Sequence, residues 1–475
     1  MLVAALAFDV GLMLLERRDQ QNAADAAALA GARYVLTSAD YAGPCTGGTG
    51  NAAVEAACAL ALDNGFDDAD AAENIFVYIP PISGTYRGFD GFLEVKIEAS
   101  RPSIFGRVIG QAAWGVGAYA VAGDQPGIEV SFGMLALNAT ECKALQVAGS
   151  GVVNSASNIQ ANSNGSECIG DPIGFSRTGS GVLNLDVTAV CRSASLIQDQ
   201  GSGQMTCSKE TNSYSLPDPL RNLPAPPKPA LAPGLKEVVS GTVVQVPGQV
   251  PDYCPGASNP NRQPSEASPR TCVLGQGSQA GRNWIMSPGL YAGGLDFKGG
   301  VTVYLLPGIY WIGGGGLATS NDASLISVNS ETDRSPATCT LGAAPPCVNG
   351  GGVLIYNSRL DNAAAGPITL GGGGATLRLQ PYDYPFGDGT IDLVIFQDRA
   401  VSLTVTLNGS SAQAAEVRGI VYVPKGEVKV NGSSSVFSVD QVIADTFYIS
   451  GSGGTVNVLR EFGVNAEISG AGLVE

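Results

Sequence analysis

An α+β amino-terminal part followed by a long all-β region is the fold class that three features of the sequence predict. Residues 2–36 are all compatible with a helix, with no proline and with glycine only at Gly11 and Gly31. Residues 51–124 alternate between helical and strand patterns. Beyond Gly127 helical periodicity vanishes, and short alternating strands punctuated by Gly, Asn and Ser take over. The division that follows is 1–36 for the helix, 37–126 for a small α/β domain and 127–475 for the β region.

The helix opens with the apolar run MLVAALAFDVGLMLL, turns charged at Glu16, Arg17, Arg18 and Asp19, and becomes alanine-rich over residues 23–32. At about 1.5 Å per residue it would run on the order of 50 Å. A secretory signal carries its positive charge before the apolar stretch; here the two arginines follow it, so the segment reads as retained. A bilayer core asks for about 20 apolar residues, and Asp9 interrupts this run. Either the native start lies upstream or the helix packs against other helices. An ionised carboxylate in apolar surroundings is costly unless paired. Asp9 is therefore expected to meet a basic group of a neighbouring subunit or solvent at the membrane surface. The small residues 23–32 permit close approach of identical helices, and removing residues 1–32 is expected to release a soluble, folded monomer.

In the α/β part AAVEAACALALDNGF reads as a helix, NIFVYIPP and GFLEVKIEAS as strands, SIFGRVIG as a short helix and WGVGAYAVAG as a strand. The β region contains ALQVAG, GVLNLDVTAV, VTVYLLPG, GVLIYNS and VSLTVTLNG. Its Pro-rich stretch at 215–234 cannot join a sheet interior and reads as a linker or surface excursion. Near the carboxyl end, GIVYVPKGEVKVNGSSSVFSV and QVIADTFYISGSGGTVNV repeat a strand–turn–strand pattern at a spacing of about 22 residues, typical of a solenoid coil. A Gly-rich right-handed β-helix is therefore expected, with a pair of β-sandwiches as the alternative.

Composition narrows the chemistry. A net charge of −16 leaves no basic surface to follow a phosphate backbone, which argues against nucleic acid as a partner, and a membrane of anionic lipid is expected to repel such a surface too. Histidine is absent, which removes Ser-His-Asp and Cys-His nucleophile pairs and the commonest ligand of zinc, copper and iron. No cofactor or metal is expected. The ten cysteines fall in neighbouring couples without a Cys-x-x-Cys spacing, which points to an oxidising compartment. The expected pairs are Cys45–Cys58, Cys142–Cys168, Cys191–Cys207, Cys254–Cys272 and Cys339–Cys347, each closing a short loop.

The candidate sites are few. The acidic run at 63–74 lacks the ligand alternation of a calcium loop, and the GGGG strings at 313–316 and 371–374 do not lead into Gly-Lys-Ser/Thr. Asp383, Asp388 and Asp392 call for more care, because paired acids on one face of a β-helix could cleave a glycosidic bond. Turn aspartates beside Gly and Pro are far commoner, so no catalytic residue is assigned. Exposed Tyr or Trp could hold a surface glycan.

The string FDVGLMLLERRDQQNAADAAALAGARY resembles the TadE/TadG-like proteins of Tad (Flp) pilus assembly. The resemblance rests on the Asp-x-Gly pair Asp9 and Gly11, the basic pair Arg17 and Arg18, and the stretch from Gln21 through Asn22 and Asp25 to Ala32. FLEVKIEASRPSIFGRVIG followed by VGAYAVAG is similar to the end of that family's pilin-like domain. Family members carry a full transmembrane span before the Asp-x-Gly pair, where this chain has eight residues. The resemblance implies a non-enzymatic TadG-like protein of the bacterial cell envelope, anchored in the inner membrane and exported. Its helix would meet the membrane or identical subunits, and its partners would include other pilus-assembly proteins. The β region would serve surface structure or adhesion, or the chain would be a filament subunit. The alternative is a carbohydrate-active or carbohydrate-binding β-helix on the same anchor.

Overall fold

The computed structural model describes residues 2–35, 38–45, 48–244, 250–337, 352–387, 389–409, 414–432, 436–451 and 453–474. They form two compact units, Met1–Glu129 with Glu467–Glu475, and Val130–Ala466. The amino-terminal helix belongs to the first of these rather than standing apart from it.

In the first unit, helix α1 (Leu2–Ala32) and helix α2 (Ala52–Asp63) cover an antiparallel sheet. The sheet runs β1 (Tyr41–Pro44), β2 (Glu73–Ile79), β3 (Phe92–Pro102), β4 (Ala113–Val130), and ends on the last strand of the chain, Ala466–Leu473. Strand alternation turns Ile75, Val77 and Ile79 inward, opposite Val95 and Ile97 of β3. Helix α2 starts at Asn51, whose side chain accepts from the amides of Ala53 and Val54 and so satisfies two of the orphan donors of the first turn.

Helix α1 contributes Ala23, Ala24, Ala27, Ala28 and Ala32 to this core, a stripe at helical spacing packed against α2 and β3. Gly31 is the closest point. A Cβ there would lie 2.9 Å from the Ala53 carbonyl oxygen and 2.9 Å from a methyl of Leu93. The small residues 23–32 thus let α1 approach its own domain, and a cut after residue 32 would remove part of the core.

In the second unit many strands pair in parallel with the strand three places further along the chain. Asn283–Met286 pairs with Thr302–Leu305, Gly289–Ala292 with Gly308–Gly313, and Leu295–Phe297 with Leu317–Thr319. Each turn of chain therefore lays three short strands onto the three before, with Val303, Ile312, Leu317 and their equivalents facing a shared core. The tight corners need glycine. Gly315, at φ +66°, would bring a Cβ to 2.1 Å from the Gly293 carbonyl oxygen of the preceding turn.

The two ends of the unit meet. Val436–Gly451 pairs in parallel with Phe132–Ala136 and Leu145–Val147, and Thr455–Val458 with Val152–Ser155. The Pro-rich stretch 215–234 connects the early turns to the later ones. It is neither a free linker nor a loose excursion: Leu216, Leu220 and Leu223 are buried, and its backbone carbonyls are read by side chains of successive turns. Tyr384 Oη donates to the Pro224 carbonyl, Trp311 Nε1 to Pro226, and the Arg399 guanidinium to Leu220 and Leu223. Proline lacks an amide donor but keeps its carbonyl, so a Pro-rich strand can lie across the outside of the stacks as an acceptor.

Disulfides close Cys45–Cys58, Cys142–Cys168, Cys191–Cys207 and Cys254–Cys272. Cys339 and Cys347 lie outside the described residues.

Candidate functional site

Asp9 is the residue on which the amino-terminal end of the first unit is built. It is only 3% exposed, although Phe8 and Val10 beside it are more than half exposed. Its Oδ2 accepts from the Ser103 hydroxyl at 2.7 Å, the Gly106 amide at 2.7 Å and the Phe105 amide at 3.0 Å. Its Oδ1 accepts from the Ile104 amide at 3.2 Å. The carboxylate therefore binds the start of the 3-10 turn Gly106–Ile109, between β3 and β4, as an acceptor for amides that lack an intrahelical partner. The expected partners, a neighbouring subunit's cation or solvent, are replaced by the chain's own backbone. Gly106 is required for this closeness, since a Cβ would meet Ser103 Oγ at 2.3 Å and the Gln111 carbonyl at 3.1 Å.

Further along α1, Glu16 accepts from Arg101 Nε at 2.9 Å, and Arg101 Nη2 donates to Glu73 at 2.6 Å. Gln21 Nε2 reaches Asp25 at 2.8 Å and the Tyr119 carbonyl at 3.0 Å. Helix α1 is thus pinned to the sheet at residues 16 and 21 and to the turn between β3 and β4 at residue 9. Ser103, Glu16, Arg101 and Glu73 were not singled out from sequence; the polar i, i+4 partner of Glu16 within the helix is Gln20, which is fully buried and gave no sign of the long-range pair.

The acids weighed for catalysis lie in the second unit. Asp383 and Asp392 are cross-strand partners, and Asp388 lies outside the described residues. Burial, a hydrogen bond to Asp383 and the charges of Asp383 and Asp440 push Asp392 up to about 7. Carboxyls in hydrogen-bond contact are far closer than the roughly 5 to 9.5 Å that glycoside hydrolysis uses. The folded value of Asp392 exceeds its ordinary 3.8, so its stabilising contribution is full below 3.8 and is lost as pH rises through about 7. Calorimetric scans across that window should show the melting temperature of the β unit falling with pH, and Asp392→Asn should flatten the fall. An unchanged slope in the variant would assign it to other groups. As for glycan platforms, Trp284 and Trp311 are buried and Trp114 is half-buried.

Residues 1–33, which contain α1, match the Tad family model, described as Flp pilus-assembly TadE/G-like. The amino-terminal segment is TadE/G-like. No curated protein matches the chain. Among solved structures, the competence-associated pilin ComZ from Thermus thermophilus superposes on 85% of this chain and 83% of its own at 9% identity, with a TM-score of 0.25. Nothing passes from so low a score to this chain.

Within the TadE/G-like helix the matched residues divide by environment. Asp9 and Gln21 bind the helix to its own sheet, Asp25 holds Gln21, and Gly11 faces open space. Arg17, Arg18 and Asn22 are exposed, as are Leu12, Leu14 and Leu15. Among the described residues no helix is long and apolar enough to cross a membrane, and no cluster of three or more acids or cysteines could hold a metal ion.

Proposed function

We propose that the chain is a non-enzymatic, exported protein of the bacterial cell envelope with a role in Tad-type pilus assembly. The observation that carries this reading is the TadE/G-like helix, whose far half is built into a domain while Phe8, Val10, Leu12, Leu14 and Leu15 of its near half are exposed. The four disulfides suit an oxidising compartment outside the cytoplasm. On this reading residues 2–15 attach the protein to the inner membrane, and the β unit, a right-handed β-helix, projects as a surface or adhesive structure.

The parallel three-strand turns favour a β-helix over the antiparallel sheets of a sandwich pair. The contact between Asp383 and Asp392 favours a structural role over glycoside cleavage. The test is fractionation of cells producing the full chain. The protein should sediment with inner membranes, resist a salt wash, and move to the soluble fraction when Leu12→Asp and Leu15→Asp are introduced together. A wild-type chain found soluble, or double-variant chains still in the membrane, would defeat the attachment role. Electron microscopy of purified protein separates a filament subunit, which assembles alone, from an accessory protein, which does not.

A further inference from the structure

We infer that the 3-10 turn Gly106–Ile109 and the residues leading into it form a second foot that dips into an anionic bilayer interface beside helix α1. Ile104, Val108 and Ile109 are 55%, 75% and 55% exposed, an unusual concentration of bare aliphatic surface in one loop. Asp9 clamps this loop to α1, and Phe105 meets Phe8 edge to face at 6.0 Å between ring centres. The apolar loop is therefore held at the level of the apolar half of the helix, and the two make one surface.

Lipid is the occupant that fits. On α1, Phe8, Leu12 and Leu15 share one face while Val10 and Leu14 point to the opposite side, and all five are exposed. One protein partner would cover one face; a helix apolar on both sides suits a surrounding apolar medium. The charges beside this surface match anionic headgroups in a chain whose net charge is −16. Arg17, Arg18 and Arg107 are exposed next to it, Glu16 is paired with Arg101, which it shares with Glu73, and the carboxylate of Asp9 is sequestered by the loop. Beyond them Asp19 is the first exposed acid along the helix. Arginines flanking an apolar surface can lay their stems along it and keep their charged heads at the level of the headgroups.

This inference rests on the attachment proposed for α1, and the experiment separates the two. Full-length protein is mixed with vesicles of phosphatidylglycerol and phosphatidylcholine, and partition is measured by co-sedimentation. Val108→Asp with Ile109→Asp, both at exposed positions, should lower the partition coefficient about tenfold, the factor that roughly 1.4 kcal/mol of lost apolar burial represents. A Val108→Trp variant should be quenched by brominated lipid, and a Val187→Trp control on the β unit should not. If Leu12→Asp with Leu15→Asp lowers partition while the loop variant matches wild type, α1 alone attaches the protein and the second foot is refuted. If neither pair lowers partition, the attachment of α1 fails as well. If the loop variant instead breaks a dimer that forms without vesicles and leaves partition unchanged, the surface joins copies and the inference is overturned.

Discussion

Removing residues 1–32 should unfold the first unit, whereas removing residues 1–15 should leave it folded. The two cuts differ in what they take from the core. The first cut takes the exposed Phe8, Val10, Leu12, Leu14 and Leu15 and the Asp9 clamp, and the amides of Ile104 and Phe105 lie at a surface where water can replace the carboxylate. Residues 23–32 contribute Ala23, Ala24, Ala27, Ala28 and Ala32, which cover Val54 of α2 and Leu93 and Val95 of β3. Uncovering several such side chains at roughly 1.5 to 3 kcal/mol each rivals the whole net stability of a domain, about 5 to 15 kcal/mol. Amide exchange read on β2 and β3 decides the matter. The shorter deletion should keep native protection and lose membrane partition; the longer one should lose protection throughout the sheet. Native protection in the protein lacking residues 1–32 would show that α1 is dispensable to its domain.

This outcome reverses what the sequence alone suggests for the alanine-rich half of the helix, and the reason is physical. Small residues at helical spacing say that something approaches closely, but not whether it comes from the same chain. The position and extent of α1 were legible because nothing in it disfavours a helix. The partner of Asp9 was not, because a carboxylate in an apolar run advertises a need, and the residues that meet it lie 94 to 97 positions away and include only one polar side chain, Ser103. In the β unit the repeat was visible only over the last turns, where Ala415–Gly432 and Val436–Gly451 run side by side for most of their length. Elsewhere unequal corners blur it, as between Ser324–Ser327 and Leu377–Leu379, which pair despite a long excursion between them. The path of the Pro-rich stretch was hidden for a related reason. Its buried leucines stand at 216, 220 and 223, a helical spacing, but Pro217 and Pro219 between the first two forbid the helix that spacing would announce, and the carbonyls it offers as acceptors are ones that every residue possesses.

Asp440→Ala should destabilise the β unit by about 3 to 5 kcal/mol, the usual consequence of leaving one member of a buried ion pair alone. Asp440 has no exposed surface and accepts from Arg418 Nε at 2.9 Å and Nη2 at 3.1 Å, from the Gly419 amide at 2.7 Å and from the Glu461 amide at 3.2 Å. It therefore joins three successive turns, and Gly419, at φ +96°, holds a backbone conformation that a side chain would strain. In the alanine variant the one ion pair left to Arg418 is with the exposed Glu461, beside its stacking over Phe462, and both amides lose their acceptor. Asp440→Asn keeps the shape and some of the hydrogen bonds and should lose less. It also removes one of the charges that raise Asp392, so the pH at which the β unit weakens should move down. Urea unfolding followed by tryptophan fluorescence measures both, since Trp284 and Trp311 lie in this unit. A loss below about 1 kcal/mol in Asp440→Ala would mean that the turns are held by their apolar core alone. Vesicle partition of the folded variant should match wild type, because the lipid-facing residues and the Asp9 clamp all belong to the first unit.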